Sequence, residues 1–165
     1  MAAASVPDRT ATAIGAGVMG GILGGIFIDL FLTIANHMPI IGIWQFVASA
    51  LVGAAAFSSP SYAVLGFAMH FAISIAWGVV YAALAFGPMP PLARRPVLGG
   101  FAYGVLVMIV MTAITMLARL GGGAAPPPDT AMLVKSLVAH TIFFGIPVAL
   151  YVASVARRSA VWSKT

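Results

Sequence analysis

Apolar residues run nearly unbroken through four stretches of the chain, at about 13–36, 62–86, 97–117 and 131–156. Between them, Pro, Gly and small polar residues cluster around His37 and Pro39, over 58–61, over 87–96 and over 121–129, the punctuation expected of turns. Each stretch exceeds the ~20 residues that carry a helix across a bilayer. Backbone groups in hydrocarbon must bond within their own segment, so the pattern predicts four membrane-spanning helices, connected up-down-up-down. A shorter apolar stretch, 40–57, lies between the first two. It carries Gln45, Ser49 and Gly53 at four-residue spacing, which gives it one small or polar face. The expectation is a short helix lying on, or dipping into, the outer face rather than a fifth span.

Composition agrees. The 165 residues are 62% hydrophobic and 7% charged, with a mean hydropathy of +1.09. A soluble domain carries ~25% charged residues, so a soluble enzyme, a disordered tail and a nucleic-acid-binding module are excluded as readings. The fold class expected is an all-α membrane protein, a single four-helix transmembrane domain over 1–165 with the extra helix at 40–57. The formal charge is +5 and the pI about 10.3, and the basic residues explain this by their position. Arg9, Arg94, Arg95, Arg157, Arg158 and Lys164 all fall on one side of a four-span chain, whereas Arg119 and Asp129 fall on the other. The positive side is cytoplasmic by rule, placing both termini inside. Asp29 and the length of the first stretch favour a retained helix over a cleaved signal. There is no cysteine, so disulfides, Cys-bound zinc and iron–sulfur clusters are ruled out.

Two spacings recur. Gly21, Gly25, Asp29 and Thr33 of the first stretch reappear as Gly100, Gly104, Met108 and Thr112, 79 positions on. Gly66, His70 and Tyr81 reappear as Ser136, His140 and Tyr151, 70 positions on. This suggests two helix pairs in like orientation about an axis along the membrane normal. The stripe Gly17, Gly21, Gly25, flanked by Gly20 and Gly24, lets another helix backbone approach closely. It serves packing inside the bundle or a homodimer seam.

Asp29, His70 and His140 each fall eight or nine residues inside the expected outer boundary, ~12 Å deep at the helical rise. Met108, Met111, Thr112 and Thr115 lie near that level, and Ser74 and Ser136 sit one turn from the histidines. An acid in hydrocarbon needs a partner, so Asp29 is expected to bond His70 or His140. Three readings follow. The layer is polar glue between helices. Alternatively, His70 and His140 hold haem b, with Lys135 and Arg119 near its propionates, or with Met111 hold copper. The third is a proton or small-solute relay through Asp29, His70, His140 and Ser74. Trp44 and Tyr62 suit an outer aromatic belt and Trp162 an inner one. Pro147 predicts a kink just past His140, and Arg94 with Arg95 suit contact with anionic membrane lipid. No nucleophile–base pair, phosphate loop, nucleotide fingerprint or zinc-protease motif marks an enzyme.

The run His70-x3-Ser74-x3-Gly78-x2-Tyr81, then Gly100 and Gly104, then His140 followed by Phe143 and Phe144, resembles the YagU-type inner-membrane proteins. The resemblance covers about 66–158. It implies a helical protein of the bacterial cytoplasmic membrane and carries no established activity. The leading expectation is a structural or accessory membrane protein, with a haem- or metal-binding electron carrier and a transporter subunit as the alternatives.

Overall fold

The computed structural model describes residues 8–120 and 129–159, apart from the side chain of Arg119. All regular structure among them is helical. Helix α1 (Arg9–Ala35) begins at Asp8, whose carboxylate accepts from the Thr10 N–H at 2.9 Å. It ends where His37 takes a left-handed φ of 49° and Pro39 redirects the chain. Helix α2 (Ile40–Val52) stops at Gly53, whose φ of 62° and ψ of −145° suit glycine alone, and a 3-10 turn (Gly53–Phe57) follows. Next come α3 (Tyr62–Phe86), the single turn α4 (Pro91–Arg94) and α5 (Pro96–Leu120). Helix α6 (Thr130–Val138), capped by Asp129, passes without a break through a π-helical segment (Ala139–Gly145) into α7 (Ile146–Arg158). Among the described residues, five helices are long and apolar enough to cross a membrane, α2 with its 3-10 extension among them. The chain thus suits a multi-pass membrane protein.

Glycine decides which helices touch. A Cβ added at Gly17 would lie 2.5 Å from the Cα of Val79, and one at Gly21 would lie 2.7 Å from the Cα of Ile75. The backbones of α1 and α3 are therefore in direct contact and antiparallel. A second seam joins α5 to the π segment and α7. There a Cβ at Gly100 would lie 2.8 Å from the Cα of Ile146, and one at Gly104 2.6 Å from the Cα of Thr141. The other glycine face of α1 takes side chains of the last rod, with Phe144 and Val148 against Gly24 and Val148 against Gly20. Phe31 of α1 also stacks on Phe143, ring centroids 4.4 Å apart. Both faces of the glycine stripe are thus occupied within the chain.

Opposite these seams, α3 and α5 stand further apart and are bridged by large side chains. Tyr103 donates to the Trp77 carbonyl at 2.5 Å and meets Tyr81 edge-on at 4.9 Å. Tyr81 is fully buried and donates to the Leu92 carbonyl at 3.0 Å. At the same end, Arg9 donates to the Phe86 carbonyl.

The two seams carry related contacts. Gly25 lies against His70 and Phe71, and Gly104 against residues 140 and 141, a step of 70 on the partner helix. Gly21 lies against residues 74 and 75, and Gly100 against 145 and 146, a step of 71. The extra residue is housed in the π segment, where Ile146 donates to the Thr141 carbonyl five residues back. Pro147 follows immediately. It has no N–H to give and its ring crowds the carbonyl four residues earlier, so a widened turn here relieves the conflict.

The register of α1 on α3 also places α2. With Gly17 opposite Val79 and Gly21 opposite Ile75, nearly four further turns bring the end of α1 beside the start of α3. Both ends of α2 therefore lie at one end of that pair. Gln45 donates to the Ser59 carbonyl at 3.1 Å, and the Trp44 carbonyl sits where a Cβ on Gly66 would be. The Gln45–Ser49–Gly53 stripe faces inward, with Ser49 fully buried and bonded to the Phe46 carbonyl.

Candidate functional site

The tight seams and the tyrosine bridge leave one region of the bundle open. Away from the Tyr81–Tyr103 end, α3 and α5 have no such bridge, and the space between them is a cavity of about 640 Å³. Small-molecule sites span ~300–1,000 Å³. Its roof is α2, through Ile43, Phe46, Val47 and Ala50, and its far wall is α6. His70, Ser74, Met111, Thr112, Thr115, Ser136 and His140 border it, in a mostly apolar lining. Lys135 stands at the mouth, where its ammonium donates to Asn36 Oδ1 at 3.0 Å.

Asp29 does not border this cavity. It is 4% exposed and faces the junction of α1, α2 and α3. Trp44 Nε1 donates to its Oδ2 at 2.9 Å, and His70 Nε2 lies 3.3 Å from its Oδ1. The angles at Oδ1 are not those of a hydrogen bond, so that contact is an ion-pair distance only; Thr33 Oγ1, one turn on, is likewise buried without a partner. His70 Nε2 also lies 3.1 Å from the Gly25 carbonyl, an arrangement in which the ring donates to α1. Trp44 is therefore no member of a lipid-facing belt. It ties the roof to the carboxylate, because an indole N–H buried beside an acid bonds to it rather than to a headgroup.

His140 is engaged differently. Its Nδ1 lies 2.8 Å from the carbonyl of Ser136 and 3.3 Å from the Ser136 hydroxyl. A carbonyl only accepts, so Nδ1 carries the hydrogen, and Nε2 of the neutral ring carries a lone pair. The structure thus brings Asp29 to His70 and leaves His140 apart from both, although the two imidazoles border one cavity. Ser74 and Met111 share the cavity wall, whereas Met108 does not.

A bis-histidine haem clamp needs one ring nitrogen from each side aimed at the iron. His140 offers one. His70 turns its Nε2 onto α1, which leaves only its Nδ1 with a lone pair. Among the described residues, no cluster of three or more His, Cys, Asp or Glu could hold a metal ion. Lys135 is paired with Asn36, and the side chain of Arg119, the other basic group expected there, lies outside the described residues, as do Trp162 and Lys164.

Sequence reasoning missed the Trp44–Asp29 bond, the Tyr81–Tyr103 bridge and the part of α2 as a roof. A usable signal existed for the first: Trp44 and Gln45 are polar-edged residues in a short apolar helix that follows an intramembrane acid. Comparison with protein-family models, with curated proteins and with solved structures finds no match. The function is read from the geometry.

Proposed function

We propose that the protein is a four-span membrane protein that binds a guest inside the bilayer, in the cavity roofed by α2. Helices α1, α3, α5 and the rod of residues 130–158 cross the membrane, and α2 remains on the side opposite the termini. Length does not decide this, since 13 α-helical and five 3-10 residues reach ~30 Å, the thickness of the hydrocarbon. The register of α1 on α3 supports it, because it returns both ends of α2 to one side. The arginines at the other end, with Arg9 on the Phe86 carbonyl and Arg94 and Arg157 lining a smaller cleft, mark that side as cytoplasmic. The cavity then lies in the outer half. On this reading the chain sits in a bacterial cytoplasmic membrane, as its likeness to the YagU-type proteins implies.

The observation that carries the proposal is the cavity itself: open space kept between two glycine-welded pairs, with an imidazole lone pair in its wall. Asp29 is a positioning residue here, holding the roof through Trp44 and the wall through His70. Because the chain lacks cysteine, the topology is tested by single introduced thiols. Met38→Cys and Ser59→Cys react with an impermeant maleimide from one side, and Arg95→Cys from the other; opposite labelling of 38 and 59 would refute the roof. Binding is tested by native mass spectrometry of protein extracted from membranes. A bound mass is expected in the wild type and is lost on filling the cavity with Ile73→Trp; a chain that carries nothing, or a mass that Ile73→Trp retains, contradicts the proposal.

A further inference from the structure

Five of the nine methionines, Met38, Met69, Met111, Met116 and Met132, border the cavity, against two leucines, although leucine is the commoner of the two in the chain. Methionine elsewhere serves to fill irregular gaps. Met38 lies over Gly42, but the other four border a space that stays open, so gap-filling does not account for them. The other donor in the wall is His140, whose Nδ1–H is held by the Ser136 carbonyl and whose Nε2 is a bare lone pair. That is how metal-binding histidines are oriented, with the distal nitrogen fixed by a backbone carbonyl.

Helix geometry brings the imidazole and a thioether together. The wall helices α5 and α6–π are antiparallel and touch where Gly104 meets His140 and Thr141. Side chains lean toward the N-terminus of their own helix. His140 leans toward Ser136, as its hydrogen bond shows, and by the same rule a side chain at 111 is directed back along α5 toward that level. The electrostatics narrow the guest further. Asp29 lies outside the cavity, and Asp129 at its mouth is occupied in capping α6, accepting from the Met132 N–H at 2.7 Å. Hard divalent ions want several oxygens, usually carboxylates. Neutral thioether and imidazole donors in an apolar site suit a soft ion of single charge.

Resting on the cavity-binding reading, we propose that the guest is Cu(I), held by Nε2 of His140 and the sulfur of Met111, with Met69 of the facing helix α3 as the further thioether. His70, whose Nε2 is engaged on α1, is not part of the ligand set proposed.

The test is anaerobic titration of the detergent-purified protein with Cu(I), in competition with a chromophoric Cu(I) chelator and with X-ray absorption at the copper edge. One Cu(I) per chain is expected, with both sulfur and nitrogen neighbours. Met111→Leu and His140→Gln each weaken binding at least tenfold, while Met19→Leu, on the exposed face of α1, leaves it within twofold. Met111→Leu is nearly isosteric, so its melting temperature keeps a folding defect distinguishable from a lost ligand. No binding, binding equal in Met111→Leu, or copper with oxygen neighbours only would overturn the assignment. An organic guest found by native mass spectrometry, such as a phenol or quinol donating to His140, in protein that takes up no Cu(I), overturns it too and leaves the cavity reading standing. Loss of both copper and any other guest defeats both.

Discussion

Alanine at the glycines of α1 makes a graded test of how the bundle is held together. At Gly21 the new Cβ would overlap the Ser74 carbonyl and sit 2.7 Å from the Cα of Ile75. Carbon atoms rest at ~3.5–4.0 Å, so the helices must part by about 1 Å. Neither obstacle is a side chain that can rotate away. A radial gap of that size forfeits a quarter to a half of each contact along the seam, at ~0.1–0.2 kcal/mol per atom pair. With strain added, Gly21→Ala should cost ~1–3 kcal/mol, the usual range for overpacking. At Gly24 the obstacles are Phe144 Cδ2 at 2.7 Å and Val148 Cγ2 at 2.9 Å, side-chain atoms that yield in part, and the loss should be smaller. At Gly20 the nearest atom is at 3.5 Å, an ordinary contact, and at Gly15 nothing lies within 4 Å. Gly20→Ala should be close to neutral, and Gly15→Ala neutral or stabilising by up to ~1 kcal/mol through helix propensity. Reversible unfolding in mixed micelles with rising SDS, followed by tryptophan fluorescence, gives the order. If Gly21→Ala were as stable as Gly15→Ala, backbone contact between α1 and α3 would not be what closes the first pair.

Trp44→Phe keeps the edge-on ring contact with Phe67 but removes the donor to Asp29, a buried carboxylate. It should lower stability by ~1–3 kcal/mol and open the 53–61 turn to protease; a melting curve unchanged from wild type would mean that the roof is not held by this bond. Tyr103→Phe loses only the bond to the Trp77 carbonyl, worth ~0.5–1.5 kcal/mol, with the edge-on ring contact to Tyr81 retained. The same SDS titration measures it, and a larger loss would show that the hydroxyl sets the α3–α5 separation.

The long helices could be read from the chain to within four residues at either end, because runs that must satisfy their own backbone bonds leave no other option. The α2 segment was harder. Apolar almost all round and about as long as the hydrocarbon is thick, it has no periodicity that separates lying from crossing. The position of its two ends follows from the register between α1 and α3, which depends on which glycine meets which backbone atom. Asp29 shows the same limit. Its need for a partner follows from burial cost alone, and His70 was one of two residues named for it, but Trp44 reaches it only because α2 folds back over that junction. The kink expected from Pro147 is met by a π turn spread over the seven residues 139–145, a choice that local sequence leaves open.

The unequal fates of the two histidines follow from what each helix pair carries besides glycine. In the first pair the seam ends in Asp29, one turn beyond Gly25, and the connection to α3 is long enough to include α2. Carboxylate and indole together close the space beside His70 and fix its Nε2 on α1. In the second pair, the residue one turn beyond Gly104 is Met108, an uncharged thioether, and only nine residues of chain separate α5 from α6. Nothing there competes for the ring. His140 therefore falls back on its own helix, using Nδ1 on the Ser136 carbonyl, and its other nitrogen is left to the cavity. The same arrangement that makes the first histidine a strut thus leaves the second free to act as a ligand, and the cavity lies on the side where α2 can roof it.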